Sequence, residues 1–323
     1  MNTRLRAGFA AVISALLAVF WATGSAEGAQ AYPVKPVRLI VPAAPSGGLD
    51  IMARVVGQPL TTLLGEQVLV DNRPGAGVLI GTEIAAQATP DGYTLLEDNA
   101  NLVSNAILHE KVSLIKELAP ITLLANLPEA LSVPASLPVN SVKELIALAR
   151  TSHLTYGSAG YGTVGNICTE MLKLAAGVHI THVPYKGGGP VMAALAGAQI
   201  SMSIVSLAST IPQMKAGRVK ILAVTGERRA RAAPDIPTIA ETIPGVVLDN
   251  WIGLLAPAGT PAPIIRKLNA DVVKVIGMPD VKRLLEAKGY EVEGGTPQAF
   301  GALIQSNVAK YAKVIRQAHI RIN

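Results

Sequence analysis

Short apolar runs alternate with amphipathic stretches along most of this chain, the pattern of α/β layers. Val37–Val41 reads as a buried strand, Leu49–Leu64 as a helix ended by Gly65, and Val68–Val70 as a strand. Ile80–Ala88 reads as a helix and Tyr93–Leu96 as a strand, while Ile121–Ala125 and Leu131–Val133 form a strand pair around a crossing point. A second set follows: helix Val142–Arg150, a glycine turn, a helix from near Thr163 to Ala176, and strand Ile180–Val183. Helix Pro190–Ala196, strand Ile200–Val205, helix Thr210–Lys215 and strand Val219–Val224 complete it. Ser141, with Glu144 three residues on, forms a capping box. The tail returns to helices at Pro263–Ile276, Pro279–Ala287 and Pro297–Ala318, each starting at or just after a proline. Each strand–helix unit implies a parallel neighbour. The two sets predict two lobes with crossings near residues 125 and 226: residues 32–125 and 227–323 in one, 126–226 in the other.

The segment Leu-Thr-Tyr-Gly-Ser-Ala-Gly-Tyr-Gly-Thr-Val-Gly, Leu154–Gly165, carries the most functional information. It reads as a strand, a tight glycine turn and a helix N-terminus, where exposed backbone N–H groups receive anions. A second such turn, Pro42-Ala-Ala-Pro-Ser-Gly-Gly-Leu-Asp50, lies over a hundred residues earlier. Asp50 there is assigned to capping the helix that follows. Two anion cradles on separate segments predict a ligand gripped from both sides.

The first residues set the compartment. Arg4 and Arg6 precede an apolar run, Ala7–Ala22, and Ala29-Gln30-Ala31 supplies a cleavage signal, so residues 1–31 read as a secretory signal peptide cut before Tyr32. Val246–Ala256 is apolar but broken by Asp249 and Asn250, so it is no membrane span. Formal charge is +6, and loss of Arg4, Arg6 and Glu27 leaves +5. Basic residues are dispersed and aromatics make up only 4%, which argues against a nucleic-acid surface. Cys168 is the single cysteine, so no internal disulfide forms, and it reads as a packed helix residue.

Most catalytic motifs fail on inspection. Gly160-x-Gly162-x-x-Gly165 has dinucleotide spacing, but the acid expected about twenty residues on is missing from Thr181-His-Val-Pro-Tyr-Lys186. Ser158 lacks the first glycine of a nucleophile elbow, since Tyr156 stands there. His179 and His182 point to opposite faces of a strand and make no shared metal site. Glu97-Asp98 reads as a solvated loop at the mouth of a cleft, straight after a strand. Gly75-Ala-Gly77 lacks the Gly-Lys-Ser/Thr ending of a phosphate loop, and Lys186 precedes its glycines instead of following them. No catalytic residue, metal site or cofactor is expected.

Six segments then point to a family. Tyr32-Pro-x-Lys35-Pro-Val-Arg-Leu-Ile-Val-Pro42, Asp71-Asn-Arg-Pro-Gly-Ala-Gly77, Pro90-Asp-Gly-Tyr-Thr-Leu-Leu96, Tyr156-Gly-Ser-Ala-Gly160, His182-Val-Pro-Tyr-Lys-Gly187 and Gly253-Leu-Leu-Ala-Pro-Ala-Gly-Thr-Pro261 occur in order. Together the chain resembles the tripartite tricarboxylate transporter receptors, the Bug family of extracytoplasmic solute-binding proteins. The resemblance implies an α/β type II periplasmic binding protein: two Rossmann-like lobes, a hinge, and a small ligand, often a di- or tricarboxylate, in the cleft between them. It also implies contacts from Ala43–Gly48, Glu97–Asn101, Gly157–Thr163 and Ser203–Ser209. The residues expected to touch ligand are Ala43, Ala44, Pro45, Ser46, Gly47, Gly48, Asp98, Asn99, Gly157, Ser158, Ala159, Gly160, Gly162, Thr163, Tyr185 and Ser206. The family's first turn commonly carries an aromatic that Ala43 replaces here, and Ser203–Ser209 lacks its usual Phe-Asp. Two carboxylates near the cleft would disfavour a multiply charged anion, which turns the expectation toward a monocarboxylate, an amino acid or a neutral amide. The expected function is a monomeric periplasmic receptor that captures a small carboxylate or related metabolite and delivers it to membrane permease subunits. A sensor feeding a signalling receptor has the same sequence features, and an exported hydrolase using Ser158 or Glu97-Asp98 is the other alternative.

Overall fold

A computed structural model of the chain describes residues 32–321 apart from Ala44, Ser46, Gly47 and Lys186. Residues 1–31, read above as a signal peptide, lie outside the described residues. In the compact unit Lys35–Asn323, the first sheet takes β1 (Val37–Val41), β2 (Val68–Asn72), β3 (Thr94–Asn99), β4 (Leu118–Asn126), β10 (Trp251–Pro257) and β11 (Glu291–Val292) in the order β11-β4-β10-β3-β1-β2. The second takes β5 (Glu129–Pro134), β6 (Leu154–Ser158), β7 (Ile180–Pro184), β8 (Met202–Ser206) and β9 (Val219–Val224) in the order β7-β6-β8-β5-β9. Helices α1 (Gly48–Leu64), α2 (Leu79–Ala86), α3 (Asn101–Leu108) and α4 (Ser113–Lys116) lie between the strands of the first set. Helices α5 (Val142–Thr151), α6 (Val164–Ala176), α7 (Gly188–Ala196) and α8 (Leu207–Lys215) serve the second, and α9 (Ala262–Ile276), α10 (Pro279–Ala287) and α11 (Pro297–Gln317) form the tail.

Each sheet is mixed where the sequence pattern implied parallel neighbours. The βαβ units do give parallel pairs, β1 with β2 and β3, and β6 with β7 and β8. The strands around the crossings are antiparallel: β10 with β3 and β4, and β5 with β8 and β9. The expected pairing of residues 121–125 with 131–133 does not form, because β4 and β5 belong to different sheets. Only Leu127 and Pro128 separate them; a link of that length can close a hairpin, but β4 pairs with β10 and β11 while β5 pairs with β8 and β9, so the chain passes from one sheet to the other. The chain returns between Val224 and Trp251, and the two crossings are tied side by side. Leu127 N–H donates to the Asn250 carbonyl (2.9 Å), Thr225 N–H to the Glu129 carbonyl (3.0 Å), and Asn250 Nδ2 to Glu129 Oε1 (3.0 Å).

One buried apolar cluster runs through both halves. It joins Ile40 and Leu96 of the first sheet, Leu102 and Val103 of α3, Ile167 and Leu172 of α6, Leu131 of β5, and Phe300 and Tyr311 of α11. Helix α11 packs on α3 and β4 and also on α6, so the C-terminal helix clasps elements of both sheets. Cys168 is buried, and burial pushes its thiol well up, as suits a packing residue. Ser141 caps α5 by accepting from Glu144 N–H (3.1 Å), but the Glu144 carboxylate reaches Asn140 N–H (2.7 Å), one residue before the capping-box partner. Among the described residues no helix is long and apolar enough to cross a membrane.

Candidate functional site

The first turn leads from β1 into α1. Asn72 Nδ2 donates to the Ala43 carbonyl (3.0 Å), and Arg54, gripping Asp50 on the next helical turn (3.0 Å), reaches Asn72 Oδ1 (3.3 Å). Tyr290 Oη donates to the Gly48 carbonyl (2.7 Å), and a Cβ placed on Gly48 would lie 3.7 Å from Leu127 at the crossing. The start of α1 therefore sits at the junction of the two sheets. Ala43, Pro45 and Gly48 are at this turn, and Ala44, Ser46 and Gly47 lie outside the described residues.

The second turn leaves β6 at Ser158 and enters α6 through the N-cap Thr163, whose hydroxyl accepts from Asn166 N–H (3.4 Å). Gly160 and Gly162 have φ of +136° and +72°, conformations that a Cβ disfavours. Several amides of this turn already have protein partners. Gly160 N–H donates to Ser158 Oγ (3.2 Å), and Gly162 N–H to Asn166 Oδ1 (3.0 Å). Ser158 is fully buried, with His182 Nε2 at 2.7 Å from its Oγ. Tyr185 N–H donates to the Ser158 carbonyl (2.9 Å), and Gly187 N–H to that of Ala159 (3.2 Å). Gly157 lies under the Tyr185 ring, where a Cβ would come within 3.2 Å.

Helix α3 brings the first half of the fold onto this turn. Asn101 Oδ1 accepts from Val164 N–H (3.1 Å), and Ser104 Oγ donates to the Gly162 carbonyl. Asn105 stands between the glycine loops, so that Cβ atoms at Gly77 and Gly162 would press on its Oδ1 at 2.5 and 3.1 Å. Asn101, Ser104 and Asn105, spaced i, i+3, i+4, share one helical face. Sequence reasoning assigned no helix here; it placed Asn101 at the end of the expected contact segment Glu97–Asn101 but missed Ser104 and Asn105. Their signal was available: three small hydrogen-bonding side chains at helical spacing in an otherwise apolar octet.

Glu97 and Asp98 are not a solvated loop. Both lie inside β3, opposite Leu254 and Gly253 of β10, and both are fully buried. Adjacent strand positions point to opposite faces. Asp98 accepts from Thr82 Oγ1 (2.7 Å) on α2, and burial pushes its carboxyl up to about 7. Glu97 has no hydrogen-bond partner on either oxygen, and burial, with Asp98 and Asp50 nearby, raises it well above the usual carboxylate range. The premise that two carboxylates repel a multiply charged ligand at the cleft mouth is thereby removed. Asp98 supports the strand that ends at Asn99, and Asn99 Oδ1 accepts from Asn101 N–H (3.0 Å).

The segment Ser203–Ser209 divides. Ser203 is buried in β8 with its hydroxyl unpartnered. Ser206 is half-buried at the start of α8, its carbonyl accepting from Ser209 Oγ (2.8 Å) and Thr210 Oγ1 (2.9 Å). Ser209 lines a surface groove with Met192 and Gln213, between α7 and α8. A polar cavity of about 210 Å³ lies elsewhere, at the crossings, lined by Asn126, Thr225, Arg228, Asp249 and Glu293 among others. Among the described residues, neither glycine turn lines it. Among the described residues no group of three or more His, Cys, Asp or Glu side chains is gathered to hold a metal ion.

Ser158 and His182 are within hydrogen-bond reach, but the serine is not presented as a nucleophile. The serine hydroxyl is buried and turned onto Gly160, and burial pushes His182 down to about 4, too weak a base for neutral pH.

Comparison with known proteins agrees with this geometry. Residues 52–320 match the sequence profile described as the tripartite tricarboxylate transporter family receptor. The chain is 34% identical over 313 residues to the UPF0065 protein in the tcbD–tcbE intergenic region of Pseudomonas sp. strain P51, covering 95% of this chain and 93% of that one. The solved structure of R. palustris Rpa4515 with adipate superposes with a TM-score of 0.80 at 33% identity, covering 90% of this chain and 99% of that one. MatC (Rpa3494) from Rhodopseudomonas palustris with bound malate gives 0.76 at 30%, covering 88% and 100%. The fold is that of a two-lobed periplasmic binding protein, and the chain belongs to the tripartite tricarboxylate transporter receptor family.

Proposed function

We propose that this protein is an extracytoplasmic receptor that closes two lobes on a small carboxylate and delivers it to membrane permease subunits. The lobes are residues 32–125 with 227–323, and residues 126–226. The observation that carries the reading is the meeting of α3 with the Gly160–Val164 turn, where Asn101 and Ser104 of one half bond the backbone of the other. A ligand held there is enclosed from two sides. The proposed contacts are the turn Ala43–Gly48, Asn99 at the end of β3, the turn Gly157–Thr163, Tyr185 and Ser206. Asp98 acts beneath them rather than on the ligand. Adipate and malate in the two relatives' structures support a dicarboxylate of four to six carbons, and the burial of Glu97 and Asp98 removes the objection to a doubly charged acid. A helix N-terminus aimed at a carboxylate contributes about 0.3–1 kcal/mol, and up to ~2 when partly buried.

A thermal-shift screen of the chain from Tyr32 onward, against small mono-, di- and tricarboxylates, amino acids and amides, tests the ligand class. A four- to six-carbon dicarboxylate is expected to give the largest rise in melting temperature. A rise from amides or amino acids alone would overturn the carboxylate assignment. Delivery is tested by acid uptake in cells lacking the gene, which is expected to fall.

A further inference from the structure

His182 stands beside the second turn without belonging to it. It projects from β7, with its Nε2 2.7 Å from Ser158 Oγ. Its ring stacks on Tyr156 at 4.6 Å between centroids and meets the edge of Tyr161 at 4.9 Å. Tyr156 is itself anchored: its hydroxyl donates to Glu170 Oε1 (2.6 Å) and accepts from Asn166 Nδ2 (2.8 Å), while Lys173 pairs with the same carboxylate (2.7 Å). Asn166 Oδ1 in turn accepts from Gly162 N–H (3.0 Å). One network thus runs from the imidazole to two amides of the glycine turn.

The protons fix the direction of these bonds. A serine hydroxyl has one proton to donate and two lone pairs to accept with. Ser158 Oγ lies 2.9 Å from the Gly160 carbonyl, which is an acceptor only, so the proton goes there. The two lone pairs then receive Gly160 N–H and the Nε2–H of His182. His182 is therefore a donor through Nε2, and its bond holds the serine that closes the turn.

We infer that His182 is a positioning residue for ligand capture: through Ser158 it sets the direction of the Gly160 peptide in the turn that receives the carboxylate. The inference rests on the receptor reading. The imidazole is neutral at pH 7, so it contributes geometry and no attracting charge.

Two variants separate this role from general packing. His182→Phe keeps a ring between Tyr156 and Tyr161 but loses the donor. His182→Gln returns an N–H donor near the Nε2 position. In the ligand-free chain, amide hydrogen exchange across residues 157–166 is expected to quicken about tenfold in His182→Phe and to recover in His182→Gln. Titration with adipate and with malate is expected to show about five- to tenfold weaker binding for His182→Phe, the scale of one lost hydrogen bond. Combining it with Ser158→Ala is expected to cost less than the sum of the two single changes, since the His182–Ser158 bond is lost in both, while Ser158→Ala alone also removes the two Gly160 bonds. Unchanged exchange and affinity in His182→Phe overturns the inference, as does full additivity with Ser158→Ala. Should the Phe variant fail to fold, His182→Gln and Ser158→Ala decide it by the same two measurements. If the unmodified protein binds neither acid nor any ligand of the screen above, the receptor reading fails, and the exchange result still shows whether His182 holds the turn.

Discussion

At the residue scale, two kinds of site govern the behaviour of this chain. One is steric. A Cβ at Gly165 would run into the carbonyl oxygen of Ile204, which is backbone and cannot step aside, with Glu129 Oε2 at 3.3 Å. Gly165→Ala is expected to destabilise by about 3 kcal/mol or more, the upper end of overpacking costs, read from urea unfolding. The other is electrostatic. Burial pushes Asp98 up to about 7 and Glu129 to about 8, with Asn250 donating to the latter. The native state holds these protons above the pH at which the unfolded chain has released them, so stability falls as pH rises toward the folded values. Below pH 6.5 His182, depressed to about 4, works in the opposite sense. The window from pH 6.5 to 8.5 therefore isolates the carboxyls. Unfolding free energy is expected to drop across it, with a slope of up to about 1.4 kcal/mol per pH unit for each carboxyl. Glu129→Gln should flatten the slope, and a flat profile in the unmodified protein would refute the assignment.

At the element scale, α3 works as a clasp. Its Asn101 and Ser104 bonds join it to the Gly162–Val164 backbone of the other half, and a ligand that favours this joined arrangement would gain from them. Asn101→Ala and Ser104→Ala are each expected to weaken acid binding by about 1 kcal/mol, and Ser104→Ala, which strips a buried hydrogen bond, also to lower the melting temperature. Calorimetric titration against thermal melts of the same variants checks this. The elements most legible in the sequence were those with clean boundaries: β1 and β9 were read at their observed limits, and α10 from its first-turn proline. The strand β10 was hidden because it is buried on both faces between β3 and β4, leaving a featureless apolar run behind Asp249 and Asn250. Glu97-Asp98 was misread because adjacent acids are ordinarily solvated, whereas here β10 covers the strand that carries them. The second glycine turn was legible, since the positive φ of Gly160 and Gly162 demands glycine. Its partners were not, because Asn101, Ser104 and His182 reach the Gly160–Val164 turn from other elements through space.

At the scale of the whole molecule, the two sheets are joined by two crossings, the short Leu127–Pro128 link and the longer return from Val224 to Trp251, and clasped by α11, which packs on both halves. That construction allows a hinge motion in which the crossings bend while each sheet stays rigid. The Asn250–Glu129 bond ties the crossings together. A ligand that bridges the turns shifts the lobes toward the closed state by its extra affinity for that state. Small-angle scattering is expected to show a smaller radius of gyration once a dicarboxylate is added, and no change on adding a neutral amide of equal size.

The central claim is that the cleft between the lobes binds one small carboxylate. Its most direct test is calorimetric titration of adipate into the chain from Tyr32 onward, beside the same titration into a Gly162→Leu variant. A Leu Cβ would press on Leu108 at 2.7 Å in a backbone conformation with φ of +72°. The predicted result is one acid per chain at about micromolar affinity, near −8 kcal/mol, with binding lost in the folded variant. Equal binding by both proteins would contradict the account.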